Sequence, residues 1–127
     1  MTTGSDDNNR LDRVGAVVAI GAAVHCLLAG VLERLLPVLA GEGAHLVFAL
    51  IAVSVSVPAV MRGWMLHHEF RVFSWAVPGW LALGLARFGG ERQFGEGTEI
   101  FLTVVAAVLL FVAHQLNRSL AYWHNKP

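Results

Sequence analysis

Charge is scarce in this chain. Asp, Glu, Lys and Arg make up only 14% of its 127 residues, against roughly 25% in an ordinary soluble domain. Nine basic residues balance nine acidic ones, so no basic excess points to nucleic acid as a partner. Cysteine is scarcer still. Cys26 stands alone, which excludes a disulfide framework. No Walker loop, dinucleotide fingerprint, His-Glu-x-x-His helix or nucleophile elbow occurs. A Cys–His catalytic pair needs a base set against the sulfur by the fold and an oxyanion site, and the adjacent His25 and Cys26 are not that signal. The chain is therefore not expected to be an enzyme.

Apolar residues are abundant instead. They account for 56% of the chain, and the mean hydropathy is +0.60. This composition excludes disorder and leaves too little polar surface for a soluble domain. A small integral membrane protein remains, with the lipid bilayer as its first partner. A span needs about 20 mostly apolar residues, and four stretches qualify. They run over about 14–32 (with a continuation through Leu35–Leu39), 44–60, 72–85 and 100–113. The joints between them are short and polar or Gly-rich, as helical hairpins require. The expected architecture is an all-α, four-helix transmembrane bundle over residues 11–118. A disordered polar tail over 1–10 precedes it and a short interfacial tail over 119–127 follows. Asp6 and Asp7 stand where a signal peptide would be basic, so the first span is expected to be retained. Four spans place Arg10, Arg13, Arg62, Arg71, Arg118 and Lys126 on one side, and Arg34, Arg87 and Arg92 on the other. The positive-inside rule then puts both termini in the cytoplasm.

Polar groups inside a bilayer cost free energy unless paired, and they face the bundle interior. Steps of three and four residues keep Glu99, Thr103, Ala106, Leu110, His114 and Asn117 on one face of the fourth span. His45, Ala49, Ala52, Ser56, Ala59 and Gly63 form a matching stripe on the second, and Gly15, Ala19, Ala22 or Ala23, Cys26 and Gly30 one on the first. Such stripes serve equally for tight helix packing and for a polar seam. Imidazole and thiolate both bind soft or borderline metals. His25 and Cys26 sit deep in span one, while His45 and Glu99 open spans two and four on the outer face. A cluster of His25, Cys26, His45 and Glu99 suits zinc or a similar ion, and mercury or copper(I) would rely mainly on the sulfur. His114 lies about 22 Å from Glu99 along its helix at about 1.5 Å per residue. It belongs to an inner point with Asn117 and Arg118, near His67, His68 and Arg71. The candidate metal ligands are thus His25, Cys26, His45 and Glu99, with His114 as an inner release group. No resident cofactor is expected beyond a bound mercury, zinc or copper ion. Pro58 and Pro78 each remove a backbone hydrogen bond within a span.

A family resemblance rests on Leu11-Asp12-Arg13-Val14-Gly15 before the first span and on His25-Cys26-Leu27-Leu28 within it. It rests further on His45, on Arg62-Gly63 with His67-His68, on residues 96–99, and on His114-Gln115-Leu116-Asn117-Arg118. In this order and spacing the chain resembles the MerC-like bacterial membrane proteins over nearly its whole length after residue ten. The resemblance implies a multi-pass inner-membrane carrier of mercuric ion toward the cytoplasm. Resistance members look to have a paired cysteine site in the first span and further cysteines near the C-terminus. Here Cys26 matches one membrane position and no second cysteine follows. Another metal held by His, Cys and Glu accounts for that departure, as does a thiol supplied by a homodimer subunit or a membrane partner protein. The alternative is a non-catalytic small bundle that acts as a partner or scaffold in a larger membrane assembly.

Overall fold

A computed structural model describes residues 3–28, 42–90 and 95–124; the side chains of a few of these, Cys26 and His45 among them, fall outside the description. The described residues form four α-helices: α1 (Thr3–Leu27), α2 (Glu42–His67), α3 (Arg71–Leu85) and α4 (Glu96–His124), with a π-helical turn, Ala86–Gly90, continuing α3. α1 begins inside the polar N-terminal stretch, and α4 continues past residue 113 to His124. The expected continuation of the first span through Leu35–Leu39 lies outside the described residues. Pro58 and Pro78 both sit within helices, on exposed faces.

The helices lie side by side with alternating direction. At one end the start of α1 meets the C-terminal parts of α2 and α4, through Asp12, His67 and Asn117. At the other end His25, Phe48, Arg87 and Glu99 surround one cavity. α2 and α4 are therefore parallel to each other and antiparallel to α1. α4 packs against each of the other three helices.

The joints follow local rules. α2 stops where His68 takes a positive φ of 54°, the left-handed step that commonly ends a helix. There the amide of His68 donates to the Trp64 carbonyl at 2.8 Å. Gly95, at φ 86°, precedes α4, and glycine holds that conformation without a Cβ clash. Its carbonyl accepts the amide of Thr98 at 3.1 Å.

Side-chain size is distributed the reverse of a soluble core. Ala19, Ala52, Ala59, Ala76, Ala106 and Ala113 are buried, whereas Val17, Leu50, Leu81, Phe101 and Val108 point outward. Water drives large apolar side chains inward, but lipid does not, and helices in lipid pack through small residues. Two helical stretches, Leu46–His67 and Gly97–His124, are long and apolar enough to cross a membrane.

Candidate functional site

Two polar centres occupy opposite ends of the bundle. The first is buried between α1, α2 and α4. Asp12, His114 and Asn117 are each no more than 1% exposed. The small-residue stripes carry them: one step beyond Gly15 on α1 lies Asp12, and one step beyond Gly63 on α2 lies His67. The amide of Glu69 donates to His67 Nδ1 at 3.0 Å, so the His67 proton sits on Nε2. That proton is given to Asn117 Oδ1 at 2.9 Å. Asn117 Nδ2 then donates to both carboxylate oxygens of Asp12 at 2.9 Å and to the Ala59 carbonyl at 3.1 Å. His114 Nδ1 donates to Asp12 Oδ1 at 3.0 Å. The donors thus converge on one carboxylate, which gives a buried acidic group the partners it requires.

Glycine makes this centre sterically possible. A Cβ at Gly15 would overlap the His114 imidazole, and one at Gly63 would overlap the Asn117 amide. His114 Nε2, buried and with no hydrogen-bond partner among the described residues, lies against Gly15.

The second centre is a cavity of about 30 Å³, room for about one or two waters. His25, Phe48, Arg87, Glu99 and Thr103 line it, with the small side chains of Ala22, Ala49, Ala52 and Ala86. The ring centroids of His25 and Phe48 are 4.7 Å apart. Arg87 Nη1 lies 3.3 Å from Glu99 Oε1, and the two side chains are only 17% and 12% exposed. The Thr103 hydroxyl donates to the Glu99 carbonyl at 2.8 Å, which turns the hydroxyl back onto its own helix.

Of the expected ligands, His25 and Glu99 line this same cavity. Cys26 follows His25 on α1, and His45 stands one turn before Phe48 on α2, so both backbone positions belong to the cavity's end. Their side chains lie outside the described residues. His114 stands at the opposite end, in the Asp12 network. Among the described residues no three His, Cys, Asp or Glu side chains gather closely enough to hold a metal ion.

The expected nearness of His67 to the inner point of His114 and Asn117 is present as the His67–Asn117 hydrogen bond, whereas Asp12 and Arg87 enter the sequence reading only as charges flanking the spans. Asp12 was reachable, because it extends the α1 stripe by one step beyond Gly15. Arg87 was not, because its approach to Glu99 depends on the π-helical turn, which has no signature in the residues.

No curated protein and no solved structure matches the chain. A family model described as MerC mercury resistance protein matches residues 12–119. That match runs from the buried Asp12 to beyond Asn117, so it takes in both polar centres, and the chain is a member of the MerC family of membrane proteins.

Proposed function

We propose that this protein is a multi-pass membrane metal-ion transporter or metal-binding protein of the MerC type, seated in the bacterial inner membrane with both termini in the cytoplasm. Its donor set is drawn from His25, Cys26, His45 and Glu99 at the outer end, with His114 as the inner release group. The observation that carries the reading is the common cavity of His25 and Glu99, two groups far apart in sequence that line one space between helices. Topology supports four spans. If α2 and α4 both cross the bilayer in the same direction, the chain has to recross between them. α3 and its π-helical turn together cover residues 71–90, a length of about 30 Å at about 1.5 Å per residue.

The ion is cargo in this reading. Mercury follows from the family, and zinc or copper from the mixture of imidazole, thiolate and carboxylate. The test is an equilibrium titration of the detergent-solubilised full chain with mercury, zinc and copper. Cys26→Ala and His45→Ala are each expected to weaken the winning ion by about tenfold or more. Unchanged stoichiometry and affinity in both variants would overturn the reading.

A second reading has its own support in the Asp12–Asn117–His67 network, whose members pair with one another as structural groups do. In that reading the protein is a non-catalytic bundle that docks into a larger membrane assembly. His25 and His45 variants would then lose thermal stability and show no altered response to any metal.

A further inference from the structure

The ion pair between Arg87 and Glu99 has a consequence for which ions the cavity accepts. Glu99 is the only carboxylate among the described side chains lining that cavity, and a guanidinium already occupies one of its oxygens at 3.3 Å. Both groups are largely shielded from water. Charge pairs are strengthened in such surroundings, and separating one leaves an uncompensated charge behind. A cation that needs the carboxylate must therefore displace Arg87 and then bear its repulsion at close range. A cation that binds through nitrogen and sulfur needs neither step. Hard and borderline ions gain from a carboxylate oxygen, whereas soft ions gain little.

We infer that Arg87 is a selectivity residue: by holding Glu99 it withholds the cavity's carboxylate from the cargo and so favours soft, thiolate-seeking ions such as mercury over zinc. The inference rests on the metal-ion reading above and narrows it, because Glu99 then acts as a guarded donor and not as a ligand of the resting site. The Arg87 position fits that role. It stands in a π-helical turn, a local widening that proteins use to re-aim side chains at functional sites. The resting pair also keeps the cavity wall electrically balanced, which a lone carboxylate inside a membrane protein would not be.

The experiment compares mercury and zinc binding to the detergent-solubilised full chain and to Arg87→Gln, Glu99→Gln and the double variant, by competition with a chelator of known affinity. Arg87→Gln is expected to tighten zinc by about tenfold while mercury moves by less than about threefold. The double variant should lose the zinc gain. Glu99→Gln alone leaves the Arg87 guanidinium beside the cavity without that carboxylate, so both ions should weaken together, with the mercury-to-zinc ratio within about threefold of the parent. Zinc binding that stays level or weakens in Arg87→Gln overturns the inference, as does a loss in Glu99→Gln that is about tenfold greater for zinc than for mercury. Should Arg87→Gln fail to fold, the zinc-to-mercury ratio in Glu99→Gln still decides. The parent titration with Cys26→Ala separates the two levels. Binding that survives Cys26→Ala and His45→Ala unchanged removes the metal site itself and this inference with it. Binding lost there, with no shift in selectivity at Arg87, removes the inference alone.

Discussion

At the scale of single residues, the buried Asp12 centre is held together by what glycine omits. Gly63 gives its Cβ volume to the Asn117 amide, and Gly15 gives the same to His114. Overpacking so enclosed a site costs about 1–3 kcal/mol. Gly63→Ala is therefore expected to lower stability by that amount, measured from denaturation midpoints in detergent micelles. Gly21 offers the control. A Cβ there meets nothing within 4 Å, so Gly21→Ala should be neutral or should gain up to about 1 kcal/mol from its better helix propensity. Equal losses in the two variants would show that the fit around Asn117 does not set the effect. His67 shows how a hydrogen-bonded loop fixes chemistry at a distance. The Glu69 amide dictates which ring nitrogen carries the proton, and that in turn dictates which way Asn117 faces.

At the scale of helices, much was legible because a bundle in lipid writes its packing into small residues. The α4 stripe through Thr103, Ala106, Leu110, His114 and Asn117 is buried along its length, and so is the α2 stripe through Ala52, Ser56, Ala59 and Gly63. The α1 stripe is buried at Gly15 and Ala19 and half-buried at Ala22. What periodicity could not supply was how the stripes meet. A stripe states which face is inward but not which residues oppose each other, so the Asp12–Asn117 and Arg87–Glu99 pairings came only from the three-dimensional arrangement. α3 was legible in its extent, 72–85 expected against Arg71–Leu85 observed, but not in its polar tie to α2. Trp80 Nε1 donates to Ser56 Oγ at 2.7 Å, joining α3 to α2. Ser56→Ala is expected to cost about 0.6–1 kcal/mol. It should also shift the tryptophan emission, because the indole loses its acceptor. An unchanged spectrum and melting midpoint would show that this bond contributes nothing.

At the scale of the whole molecule, polarity is sorted by depth. One end holds a network of buried, mutually paired side chains, and the other holds a cavity beside an ion pair. The walls between them are alanine-rich inside and bulky outside. If the proposed four crossings hold, reporter domains fused after Lys126 and inserted after His68 should report the cytoplasm, and one inserted after Gln93 should report the opposite compartment. Agreement of all three reporters would reject the four-span arrangement. The parallel course of α2 and α4 makes this a demanding test, because α3 must account for the return.

The Ala59 carbonyl carries one further consequence. Inside α2 its oxygen takes the helical amide four residues on, and it also accepts the side-chain amide of Asn117. A carbonyl with two donors vibrates at lower frequency than its singly bonded neighbours. A carbon-13 and oxygen-18 label at Ala59 should therefore absorb below the same label at Val60 in the infrared, and Asn117→Ala should bring the two bands together. The vibration of one bond would thus report whether three helices are fastened at that end of the bundle.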